Sequence, residues 1–140
     1  MTPAPSDDRY ILGLPFLALV IFIFVCLGIE LARGETLLRH PRGCPPVLFC
    51  GCGASVEIFG KPVRALFLSS AWLKFPRTYP KPNAVAVRAG RRTRGHVFVL
   101  KRHVGGDVWE VADYNSGKHR SRLHQRSIAG LAIVDPLAGR

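Results

Sequence analysis

Gly95-His96-Val97-Phe98-Val99-Leu100-Lys101-Arg102-His103-Val104-Gly105-Gly106-Asp107-Val108-Trp109-Glu110-Val111-Ala112-Asp113-Tyr114 reads as two strands and the turn between them. His96–Arg102 is rich in β-branched and aromatic residues. Val104-Gly105-Gly106-Asp107 supplies the turn and Val108–Tyr114 the return strand, so 96–114 is a β-hairpin. Ala84–Arg88 is a further β-type run upstream. Downstream, Asn115-Ser116-Gly117 marks another turn. Residues 119–127 are polar and basic and read as an edge strand or loop, and Leu131–Val134 is a last strand stopped by Pro136.

Before these strands the pattern is helical. Residues 50–60 read as a short helix ending at Gly60. Residues 62–75 read as a second helix, with Pro62 in its first turn and Val63, Leu66, Phe67, Trp72 and Leu73 roughly on one side. Residues 76–83 hold three prolines and form a loop. Two helices followed by antiparallel strands make an α+β architecture.

The N-terminal part is of a different kind. Residues 1–10 are a polar tail. Residues 11–29 contain no charged side chain, and as a helix they would cover roughly 28 Å, close to the hydrocarbon thickness of a bilayer. A transmembrane anchor helix is expected over 11–33. It is read as retained, because a positive flank before it and a small-x-small step after it are both missing. Residues 34–49, with Gly34, Pro41, Gly43, Pro45 and Pro46, read as a juxtamembrane linker, which leaves 50–140 as the domain.

Charge is divided unevenly. Residues 1–33 sum to −1 and residues 34–140 to +12. Such a domain is drawn to polyanions. No helix-turn-helix, zinc-finger or aromatic RNP pattern is present, so nucleic acid is not the expected partner. Anionic lipid headgroups or an acidic envelope polymer remain. The basic run Arg88-Ala89-Gly90-Arg91-Arg92-Thr93-Arg94 is read as a solvated loop.

Of four cysteines, Cys26 lies in the apolar segment. Cys44, Cys50 and Cys52 show no recognisable disulfide framework and lack the Cys-x2-Cys knuckle of a structural zinc site. No metal or cofactor is expected. Cys50 stands at the head of the first helix, where the helix dipole favours thiolate. His96 opens a strand.

In order and spacing these residues resemble the NlpC/P60 and CHAP group of bacterial cysteine peptidases and amidases. The resemblance covers roughly residues 39–136. It rests on His40-Pro41-Arg42-Gly43 before Phe49-Cys50-Gly51, on Ala71-Trp72, on Tyr79-Pro80-Lys81-Pro82-Asn83 leading into Ala84-Val85-Ala86-Val87, on Gly95-His96-Val97, and on Asp113-Tyr114-Asn115-Ser116-Gly117. It implies a small papain-like domain that cleaves amide bonds in cell-wall peptide. In that reading Cys50 is the nucleophile, His96 the general base and Asn115 the third member of the triad, with Asp113 as the alternative to Asn115 and Cys52 as the alternative nucleophile.

A wall amidase tethered to the bacterial inner membrane needs its domain on the periplasmic side. Arg33, Arg39 and Arg42 after the apolar segment, against Arg9 before it, point to the cytoplasm instead. The competing reading is a membrane-tethered binding module that kept the fold and lost catalysis, holding an anionic polymer, lipid headgroups or a partner protein.

Overall fold

The computed structural model describes residues 34–90 and 95–139. The anchor helix expected over 11–33 and the arginines at 91–94 lie outside the described residues. No helix among the described residues is long and apolar enough to cross a membrane.

Gly34–Arg140 forms one compact unit. In chain order its elements are β1 (Thr36–Leu38), α1 (Cys50–Phe59), two 3-10 turns (Arg64–Leu66 and Ser69–Lys74), β2 (Val85–Arg88), β3 (His96–Gly105), β4 (Val108–Ser116), β5 (Arg120–Ser127) and β6 (Ala132–Val134). The strands form one six-stranded sheet in the order β1-β5-β4-β3-β2-β6, and every pairing is antiparallel. The α+β expectation therefore holds at the level of class.

Alternation along the strands builds two apolar layers. Val85, Val87, Val97, Val99, Ala112 and Tyr114 face α1 and pack with Phe49, Cys52, Ala54 and Trp72. Ala86, Phe98, Leu100, Trp109 and Val111 bury on the other face. No helix among the described residues covers that second layer. Ile128 and Leu131, between β5 and β6, pack against it instead, and register shifts in the β3–β4 pair bend the strands there.

Residue size decides how closely α1 approaches the sheet. A Cβ on Gly53 would overlap the Tyr114 ring, and one on Gly51 would overlap the Leu66 and Phe67 carbonyls. The small residues near the head of α1 are thus the close-contact surface of the helix. Glu57 then anchors its far end: Lys101 Nζ donates to Oε1 at 2.5 Å and Tyr114 Oη donates to Oε2 at 2.7 Å. Gly60, in the left-handed region at φ 71°, stops the helix by donating its N–H to the Val56 carbonyl.

Three expectations need correction. The second helix over 62–75 is two separate 3-10 turns. Leu66, Ser69 and Trp72 fall every three residues, a spacing that suits the tighter turn as well as an α-helix. Trp72, fully buried, fixes the break between the turns by donating its Nε1–H to the Leu66 carbonyl at 2.9 Å.

The stretch 34–49 belongs to the folded unit. Thr36–Leu38 pairs with Ser121–Leu123 as an outer strand, which makes β5 an inner one.

Cys44 and Cys52 form a disulfide across eight residues, with Cα atoms 5.7 Å apart. The bridge pins the Pro45–Phe49 loop to the first turn of α1 and withdraws Cys52 as an alternative nucleophile, leaving Cys50 as the free thiol among the described residues. Replacing both bridged cysteines by alanine is expected to cost roughly 2–3 kcal/mol from loop-closure entropy. The readout is a lower denaturation midpoint at an unchanged slope.

Candidate active site

Two elements bring the reactive groups together. The first turn of α1, whose N–H groups have no carbonyl a turn behind them, carries Cys50. The Cys50 sulfur meets the backbone N–H groups of Gly51 and Val97 and the imidazole of His96. His96 is the first residue of β3. Its Nε2 lies 2.6 Å from Asp113 Oδ1 on β4, which leaves Nδ1 as the nitrogen for the thiol. Cys50 is 7% exposed and His96 9%, while Asp113 is fully buried.

The third residue is therefore Asp113, where Asn115 was expected. Continuing the Val99–Ala112 pairing along both strands would set Asn115 opposite His96. The chain departs from that register: a shift separates Asp113 from Ser116, and Asn115 adopts the left-handed conformation at φ 60°. Asn115 is turned out of the pleat and its Oδ1 pairs with His119 Nδ1 at 2.8 Å. Asp113, the diagonal neighbour on the same face, takes the imidazole in its place.

Asp113 is held from a second side. Its Oδ2 accepts from Arg126 Nη1 at 2.6 Å and lies 3.0 Å from His124 Nε2. Arg126 also stacks its guanidinium over Phe98, 4.8 Å from the ring centroid. These two residues come from β5, at alternate positions of a strand whose sequence is too polar to look like one. That alternation, Arg122-x-His124-x-Arg126, was the available signal for them, and the sequence reading took 119–127 only as an edge strand or loop.

The groups shift one another in a consistent direction. Burial opposes charge on Asp113, yet the bonds from His96 and His124 and the nearby Arg126 outweigh it and hold the carboxyl down to about 2. Burial likewise opposes charge on His96, and its bonds to Asp113 and Cys50, with their charges, push the imidazole up to about 9. Cys50 is buried, which raises a thiol, but His96 and the Val97 and Gly51 N–H groups bring it below its ordinary value. The arrangement favours a thiolate–imidazolium pair resting on a carboxylate.

Two clefts meet here, and Asn115 lines both. On the Cys50 side is a narrow one of about 80 Å³, walled by Leu48, Phe67, Leu68 and Ser69. On the His96 side is an open one of about 300 Å³, walled by Arg88, Arg122, His124 and Arg126. No group of three or more metal-ligating side chains occurs among the described residues. Comparison with protein-family models, with curated proteins and with solved structures gave no match.

Proposed function

We propose that this chain is a membrane-anchored thiol hydrolase of the NlpC/P60 and CHAP kind, acting on amide bonds of cell-wall peptide. The observation that carries the reading is Cys50 set beside His96, whose Nε2 is bonded to the buried Asp113 at 2.6 Å. In this mechanism the Cys50 thiolate attacks the carbonyl carbon, and the oxyanion forms beside the Cys50 N–H at the head of α1. The C–N bond breaks as His96 gives its proton to the departing nitrogen. Water then attacks the thioester, leaves a proton on His96, and the C–S bond breaks to restore the thiolate.

The disulfide bears on location. Such bridges persist in oxidising compartments, so Cys44–Cys52 favours the periplasmic side over the cytoplasm. The opposing charge count, from Arg33, Arg39 and Arg42 close to the apolar segment, stands against it, and the bridge is the structural observation on the periplasmic side.

The deciding measurement is the rate of Cys50 alkylation by iodoacetamide against pH, mapped by mass, on the full-length chain in non-ionic micelles. Wild-type Cys50 is expected to react well below pH 8, with its pairing to imidazolium ending as pH rises through about 9, where His96 loses its proton. In His96→Ala the burial remains and the partner is gone, so the thiol moves upward and the rate at pH 6 falls by about 100-fold. A Cys50 that is inert, or indifferent to His96, defeats the hydrolase reading and leaves the tethered binding module.

A further inference from the structure

The cleft on the His96 side is more basic than the triad requires. Arg122, His124 and Arg126 alternate along β5 and so share one face of the sheet, with Asp113 paired across to Arg122. Arg88 reaches the same face from β2, where it pairs with His96. Among the described residues two carboxylates stand against these bases. Asp113 lies fully buried, bonded to His96, His124 and Arg126. Glu35 takes Arg122 Nη1 at 2.8 Å, while Arg122 Nε donates to Ser116 Oγ. Arg88 is exposed and makes no ion pair among the described residues. The cleft therefore carries surplus positive charge that no acid of the described residues answers, with Ser116 and Asn115 beside it as further hydrogen-bonding groups.

The chemistry of the centre assigns the two clefts to the two halves of a substrate. The acyl carbon becomes bonded to Cys50, so the acyl part lies toward Leu48, Phe67 and Leu68. The departing nitrogen takes its proton from His96, so its substituent extends past the imidazole toward Arg88 and Arg122. We propose that the Arg88–Arg122–Arg126 cleft is a subsite for a carboxylate on the leaving-group side of the scissile bond, so that the preferred leaving group is an acidic amino acid or one with a free α-carboxylate. Guanidinium groups suit a planar carboxylate because their N–H donors match its two oxygens. This inference rests on Cys50 acting as the nucleophile.

The charge of the cleft is readable at Cys50 without knowing the substrate. Iodoacetate and iodoacetamide alkylate the same sulfur and differ in one carboxylate. The readout is the ratio of their rates at Cys50 in the full-length chain, divided by the same ratio for free glutathione. A normalised ratio above one is expected for wild type. Arg88→Ala should lower it about two- to fivefold, Arg88→Glu further, and Arg88→Lys should largely restore it, as one unit charge several ångströms away in a hydrated cleft implies. An identical ratio in wild type, Arg88→Ala and Arg88→Glu overturns the subsite while leaving the thiolate–imidazolium pair intact. A Cys50 that reacts with neither reagent below pH 8 overturns the hydrolase reading itself, and the subsite with it.

Discussion

Asp113→Ala is expected to be the most damaging single substitution in the folded unit, on two independent readouts. The carboxylate is fully buried and answers three basic side chains, His96, His124 and Arg126. Removing it leaves those groups around an empty site with no counter-charge. Breaking a buried pair in this way costs about 3–5 kcal/mol, a large share of the roughly 5–15 kcal/mol that holds a domain together. Chemical denaturation reads that loss directly. The second readout is Cys50. Without Asp113, only Cys50 is left to oppose the burial of His96, its proton is held less tightly, and the thiolate at pH 6 should fall by about 10- to 100-fold.

Asp113→Asn separates the two effects. The amide oxygen can still accept from His96, so the ring stays oriented, but no charge remains to hold the imidazolium. The sign of the pH dependence follows from the depressed carboxyl. Its contribution is fully present above the unfolded value of about 4 and is lost as pH falls through about 2. The stability gap between wild type and Asp113→Asn should therefore be widest between about pH 4 and 6.5, close on acidification toward about 2, and narrow again as pH rises through about 9, where His96 loses its proton. A gap that did not narrow would mean that packing, and not charge, is what Asp113 supplies.

Trp72→Ala should be nearly as costly for a different reason. The indole is completely buried. It stacks on Phe59 at 6.3 Å between centroids and meets Phe75 at a tilt, 5.7 Å away, and its N–H holds the Leu66 carbonyl. Large-to-small changes at such sites cost about 3–5 kcal/mol through lost transfer energy and the cavity left behind. Trp72→Phe retains most of the volume and forfeits the hydrogen bond, at about 1 kcal/mol. Guanidinium denaturation of the three proteins should order them wild type, Trp72→Phe, Trp72→Ala. Equal midpoints for Phe and Ala would show that the hydrogen bond outweighs the packing. The damage should also reach the site, because Phe67 and Leu68, which wall the Cys50 cleft, lie between Leu66 and the second 3-10 turn.

What the sequence disclosed and what it hid follow from the same physics. The 96–114 hairpin was legible because its buried positions are apolar on both faces and its turn is Gly-Gly-Asp. The end of α1 was legible because Gly60 stops the helix in a conformation few other residues tolerate. The fifth strand was legible only as an edge strand or loop, since its inward positions are Arg122, His124 and Arg126. A strand that lines a charged site alternates in charge and not in hydropathy, so a period-two search on apolar residues passes over it. Asn115 was preferred over Asp113 because the family resemblance calls for an Asn-containing turn there, and the left-handed residue that breaks the register leaves little trace in composition. The Cys44–Cys52 bridge depends on how a loop returns to a helix head, which spacing alone does not encode.

That bridge also shapes how the chain must be made. Three thiols within nine residues, Cys44, Cys50 and Cys52, can be joined in three ways, of which the native one leaves the middle thiol free. Cys50 is the sulfur whose thiolate is most favoured, hence the one readiest to attack a neighbouring disulfide. Before α1 docks on the sheet, a Cys44–Cys50 link is open to the chain, and it buries the nucleophile in the wrong bond. Oxidative maturation of this protein is thus a contest between the bond that braces the helix and the thiol that the site must keep. In the native pairing Cys50 stays free beside His96 at the first turn of α1.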